Sequence, residues 1–119
     1  MKLTIALRLL ITPIIFSLAS CAGTVDVVKT GKGIYSPSAP SEIDILKTRP
    51  DKAYEELATV DALNFPIKGV AKMHNALRAK AAPIGANAVL ITDEGVINNG
   101  WGIVRFCSGV ALRYKQKSI

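Results

Sequence analysis

One stretch decides how much of this chain is available to fold. From Leu9 to Leu18 the sequence LLITPIIFSL carries no charge and is almost wholly apolar. A run of about 10 apolar residues is short for a membrane-spanning helix, which needs roughly 20. It suits the hydrophobic region of a secretory signal, with Lys2 and Arg8 as its basic flank. The flank, the length and the small residues ahead of Cys21 agree on a signal rather than a buried core helix. Residues 1–20 are therefore expected to be cut away, leaving 21–119.

The end of that run, Leu18-Ala19-Ser20-Cys21, resembles the lipobox of bacterial lipoproteins. The resemblance implies signal-peptidase cleavage between Ser20 and Cys21, and a diacylglycerol on the Cys21 sulfur. One acyl chain gives only marginal membrane binding, whereas stable anchoring takes about two or more signals. A tri-acylated Cys21, as the resemblance implies, holds its domain on the membrane permanently. Ala22 is not the Asp that retains such proteins at the inner membrane. The expected place is the outer membrane, facing the periplasm, or the cell membrane where no outer membrane exists.

Taking Lys2 and Arg8 from the 15 basic residues leaves 13 against 9 acidic ones, a net +4. That balance fits anionic headgroups or cell wall. The charges are scattered: Lys68, Lys72, Arg78 and Lys80 lie along a helix, and Arg113, Lys115 and Lys117 close the chain. They read as solvated faces, so no nucleic-acid partner is expected. With Cys21 lipidated, Cys107 has no partner within the chain. It is expected to be buried and inert, the alternative being an intermolecular bond.

Residues 22–41, AGTVDVVKTGKGIYSPSAPS, read as a flexible tether behind the lipidated cysteine, with Val25, Val27 and Val28 able to form a short strand. About 20 extended residues span roughly 65 Å at ~3.3 Å each. The folded domain is expected over 42–119. EIDILK (42–47) alternates as a strand, and YEELATVDAL (54–63) follows as a second, with Leu57, Thr59 and Leu63 on one face and Ala58, Val60 and Ala62 on the other. From Val70 the period becomes helical, with Met73, Ala76, Leu77, Ala81 and Ile84 on one stripe. Pro83 predicts that regular helix ends at Ala82 or runs one distorted turn to Ile84. Gly85 suits the position just past the end.

NAVLIT (87–92) lacks alternation and predicts a strand covered on both faces. DEGVINNGWG (93–102) reads as the hairpin connection, with the Asp93-Glu94 pair at its tip. IVRFCSGVALRYK (103–115) is the last strand. Val104, Phe106, Val110, Leu112 and Tyr114 share one parity, and Arg105, Cys107, Ala111 and Arg113 the other. The order β-β-α-β-β predicts an α+β fold: a two-layer sandwich of one amphipathic helix on a small, mainly antiparallel sheet. The expected core is Ile43, Ile45, Leu57, Val60, Met73, Leu77, Ala81, Ile84, Val89, Ile91, Val104, Phe106, Val110 and Leu112. Gly109 marks a bulge or a close approach.

LRAKAAPIGANAVLI (77–91) followed by VRFCSGVAL (104–112) resembles the Rcs envelope-stress sensor lipoproteins and the YbjQ-like domains. RPDKAYEELATVDA (49–62) is similar to a segment of many small bacterial lipoproteins. The resemblance implies an outer-membrane lipoprotein with a periplasmic α+β domain. It places Cys107 where the Rcs sensor has a disulfide cysteine, with Asp93 and Glu94 near where its partner would stand, so the disulfide framework does not carry over. The YbjQ likeness brings a suggestion of heavy-metal binding, for which the sequence pattern offers no ligand set.

Chemistry is sparse in the pattern. His74 is the single histidine and reads as a surface or boundary residue, nearer Arg78 than any carboxylate of its helix. Ser108 and Cys107 lack a nucleophile elbow, and GKG (31–33) lacks the rest of a phosphate loop. No catalytic residue, metal ligand set or cofactor is assigned. Tyr35 and Trp101 are candidate partner contacts, although Trp101 equally suits packing over a sheet edge. The expected function is a non-enzymatic, lipid-anchored binding or stress-sensing module with an envelope protein as partner. The alternative is a structural component of an envelope assembly such as a secretion or conjugation machine.

Overall fold

A computed structural model of the chain describes residues 23–115. The signal segment, Ser20 and Cys21 lie outside the described residues. Five strands form one sheet: β1 (Thr24–Lys29), β2 (Asp44–Leu46), β3 (Tyr54–Phe65), β4 (Ala88–Asn98) and β5 (Ile103–Tyr114). The helix α1 (Val70–Ala81) lies between β3 and β4 in the chain. The sheet order is β1-β3-β5-β4-β2. All neighbours are antiparallel except β2 and β4. The fold is α+β, with one helix on a mainly antiparallel sheet.

Two expectations need correction. The chain order is β-β-β-α-β-β, because residues 24–29, read as tether, form an edge strand. Val25 and Val27 pair with Ala62 and Val60 and pack on the core. Two apolar residues in alternation, Val25 and Val27, suffice once a neighbouring strand supplies the hydrogen bonds. The folded unit therefore begins at Thr24, not near Ser41. The hairpin connection is also shorter than expected. β4 runs on through Asp93 and Glu94 to Asn98, leaving residues 99–102 as the tip.

Helix α1 buries Met73, Leu77 and Ala81 against the sheet. Arg78 and Lys80 in its last turn suit the negative end of the helix dipole. At Pro83 regular helix gives way to one 3-10 turn over Ala82–Ile84, since proline has no N–H to donate. Gly85 closes the turn with φ of 84°, where a side chain is strained. A Cβ there would also stand 2.6 Å from Cβ of Tyr35.

Register shifts in β3 and β4 set the faces of the sheet. Leu57 falls at a shift between Glu56 and Ala58 in the β3–β5 pairing, so Leu57 joins Ala58, Val60 and Ala62 in the core. Simple alternation cannot bury Leu57 and Val60 together. On β5 the helix side takes Cys107, Gly109 and Ala111, all buried. Gly109 is a close approach: an added Cβ would stand 2.7 Å from the Leu90 carbonyl oxygen. Val104, Phe106 and Val110, expected in the core, are only half-buried and lie on the other face. The small parity of β5 faces the helix, where Leu57 and Val60 of β3 and Val89 of β4 fill the core beside it, and the bulkier parity of β5 lies outward. Leu112 is fully buried as expected.

Candidate functional site

Three groups of residues stand out. The first is the end of the sheet where β4 and β5 make their hairpin. Val96 and Ile103 extend one face of this hairpin beyond the helix, and Ile97 and Val104 the other. Val96, Ile97 and Ile103 are exposed, and Trp101 at the tip is 93% exposed. Side chains hold the tip in shape: Asn98 and Asn99 accept hydrogen bonds from the backbone N–H groups of Gly100 and Trp101. The Asn99 amide donates to the Asn64 side-chain oxygen at 3.1 Å, tying the tip to the end of β3. Exposed Leu63 and Ile67 and the half-buried Arg105 lie at the same end. β1 also starts here, with Thr24 paired to Leu63. The chain thus enters the sheet beside the hairpin. Of the two readings for Trp101, packing over the sheet edge is not what the geometry shows.

The second group is the face away from the helix. Leu90, Val104, Phe106 and Val110 are half-buried there, whereas Leu112 and its neighbour Ala88, further along the same face, are fully buried. Asp26 and Asp61 face each other across β1 and β3 on the same side. The Ser108 hydroxyl donates to the Asp61 carboxylate at 2.6 Å. A depression of about 310 Å³ lies between Asp26, Asp61, Leu63, Ile97, Phe106 and Ser108. Large apolar surface rimmed by polar groups marks sites of contact.

The third group lies under α1. A register shift between Ile91 and Asp93 leaves Thr92 extra on β4. Asp93 then pairs with Ser108 and Glu94 with Cys107. A slip of one residue exchanges the faces of all that follows, so Glu94, not Asp93, points to the helix side. There its Oε2 meets His74 Nε2 at 3.1 Å, and its Oε1 accepts from Lys47 Nζ at 2.9 Å. His74 is half-buried at the boundary of the core, and its carboxylate partner comes from another element rather than from its own helix. Donor atoms of His74, Glu94 and Cys107 all lie within 4.8 Å of one another. The Lys47 hydrogen bond holds the Glu94 carboxyl below the usual carboxylate range. Burial, aided by the charge of Glu94, pushes the Cys107 thiol up to about 11. Cys107 is fully buried and free of any disulfide among the described residues. As a thiol of that kind it is a poor nucleophile.

Tyr35 occupies a different setting from Trp101. It is half-buried against the core, its hydroxyl donates to the Glu55 carboxylate, and the Arg113 guanidinium lies 4.4 Å from its ring centre. Arg113 also donates to the Gly85 carbonyl at 2.7 Å. The ring and hydroxyl of Tyr35 are thus engaged within the chain, clamping the segment before β2 onto the sheet. The family resemblance places Asp93 and Glu94 near Cys107, but the sequence pattern signals neither the share of His74 in the grouping nor the choice of Glu94 over Asp93, since Thr92 disguises the parity. The apolar hairpin was legible as Trp101 among glycines and asparagines.

No family model matches the chain, and no curated protein does either. Among solved structures the fold is similar to that of the Francisella virulence factor FvfA. The TM-score is 0.53 at 13% identity, covering 75% of this chain and 97% of that one. At that identity the likeness concerns the fold alone.

Proposed function

We propose that the protein is a lipid-anchored envelope module of the kind its resemblance to the Rcs sensor lipoproteins implies. Cys21 is its anchor, the apolar hairpin rests on the membrane, and the face away from the helix receives an envelope protein. The observation that carries this reading is the shared end of the sheet: Thr24, three residues after Cys21, starts beside Leu63, at the end where Val96, Ile97, Trp101 and Ile103 are exposed. An anchor at Cys21 turns that end toward lipid. Tryptophan favours the membrane–water interface, where its ring is in apolar surroundings and its N–H stays wet. Arg105 and Lys68 at the same end suit anionic headgroups. The opposite face then stands free, with apolar side chains and the Asp26–Asp61 pair to meet a partner of mixed apolar and basic surface.

Two experiments separate the parts of this reading. Globomycin treatment of producing cells should accumulate the uncut precursor; no accumulation removes the anchor. Trp101 is the single tryptophan of the chain. Its fluorescence in the lipidated protein, reconstituted in vesicles carrying brominated lipid, should be quenched. Unquenched emission from a properly lipidated protein removes the hairpin from the membrane and leaves the anchor standing. Site-specific photo-crosslinking from Val110 in cells tests the partner face; the absence of any crosslinked protein counts against it.

A further inference from the structure

The grouping under α1 brings together three kinds of donor on three elements: an imidazole from α1, a carboxylate from β4 and a sulfur from β5. We propose that His74, Glu94 and Cys107 form a binding site for a zinc-like divalent metal ion.

The geometry supports this without large movement. Two ligand atoms about 2.0–2.1 Å from a tetrahedral ion stand roughly 3.3 Å apart. His74 Nε2 and Glu94 Oε2 are 3.1 Å apart, and Cys107 completes a triangle no wider than 4.8 Å. Small rotations of three side chains close it around an ion. Glu94 is suited to bind through one oxygen, because Oε1 is held by Lys47 while Oε2 faces the imidazole. A ligating carboxylate fixed by an outer hydrogen bond is the usual arrangement of a metal site. His74 and Glu94 each keep 17% of their side-chain surface exposed, which gives an ion its way in.

The donor set also chooses the class of metal. Magnesium and calcium take oxygen ligands and have no use for sulfur or imidazole. Mixed nitrogen, oxygen and sulfur ligands suit zinc. Binding exchanges one proton: the Cys107 S–H bond breaks, a metal–sulfur bond forms, and the proton leaves to solvent. The thiolate and carboxylate together carry two negative charges, which a divalent ion neutralises. The burial that suppresses the bare thiolate is thereby offset. Three protein ligands leave a fourth position for water or another donor.

The test uses the full chain carrying Cys21→Ala, in which Cys107 is the only thiol, so its outcome does not depend on the anchor. Zn²⁺ alone, followed by calorimetry, should bind with one ion per chain and release a proton. Co²⁺ should give the thiolate-to-cobalt absorption band. His74→Ala and Glu94→Gln, both at partly exposed positions, should weaken binding more than about tenfold, the scale on which even outer partners of a metal act. Cys107→Ser should abolish the band. Circular dichroism of each variant confirms its fold. Should Cys107→Ser fail to fold, the band in the parent chain and the other two variants still decide. No binding by the parent chain, no thiolate band, or unchanged affinity in both His74→Ala and Glu94→Gln overturns the site.

Discussion

Glu94 lies directly across from Cys107 on the neighbouring strand, while its sequence neighbour Asp93 lies across from Ser108 on the other face. The two acidic residues therefore have separate surroundings. Glu94→Gln should lower thermal stability by up to about 1 kcal/mol, since it weakens hydrogen bonds from Lys47 and His74. Asp93→Asn should leave the melting temperature nearly unchanged. Equal effects would mean that the register slip at Thr92 is misplaced.

The same contact predicts a pH dependence. Lys47 first, and His74 next, hold the folded Glu94 carboxyl below its ordinary value. A depressed folded value means that the contribution of Glu94 is present above the unfolded carboxylate range, near about 4.3, and is lost as pH falls through the folded value. Urea titrations from neutral to acid pH should show this limb, and Glu94→Gln should flatten it.

Cys107 acts at the alkaline end with the opposite sign. Burial raises its folded value from 9.0 to about 11. Its contribution in the metal-free protein is thus fully present below the unfolded value and is lost as pH rises through the folded one. Stability should fall between those values in the native chain and fall less in Cys107→Ala. The parent thiol should also react slowly with alkylating reagents until the protein unfolds.

The assignment of faces predicts unequal costs for apolar truncation. Leu77 of α1 is fully buried against the sheet, and Leu77→Ala should cost about 2–5 kcal/mol. Val104, half-buried on the face away from the helix, should cost less than about 1 kcal/mol as Val104→Ala. Chemical denaturation separates the two, and a large loss at Val104 would mean that this face is covered.

Gly85 supports the turn after α1, with φ of 84° and Tyr35 pressed against it. Gly85→Ala should destabilise by more than about 1 kcal/mol, from both the strained backbone and the collision with Tyr35. A melting curve overlaying that of the parent would refute the contact.

Local pattern was enough to locate α1, its distorted end at Pro83, the turn at Gly85 and the strand character of 42–47 and 54–63. What it could not convey was which parity of β5 meets the helix. Val104, Phe106 and Val110 are the more apolar set, and apolar character ordinarily marks the core. Here the helix-facing parity of β5 is Cys107, Gly109 and Ala111, while the core volume comes from bulkier residues of the neighbouring strands such as Leu57, Val60 and Val89. The grouping of His74, Glu94 and Cys107 was hidden for another reason. It depends on one extra residue in β4, and register shifts leave no sure mark on the sequence. The edge strand β1 was hidden because its glycine-rich and proline-rich surroundings look like a linker, whereas its pairing partner lies far along the chain.

That edge strand has a consequence for how the protein searches for partners. It begins at Thr24, so with Cys21 as the anchor only Ala22 and Gly23 intervene, a leash of about 10 Å at ~3.3 Å per residue. In the anchored form proposed above, a leash of that length would confine the domain to a thin layer over the bilayer and restrict its tumbling. In that form, encounters would become a search in two dimensions, with neighbours in the same membrane met at high effective concentration. Lengthening the leash with a flexible insert ahead of Thr24 would change which proteins the domain can meet without altering one of its contacts.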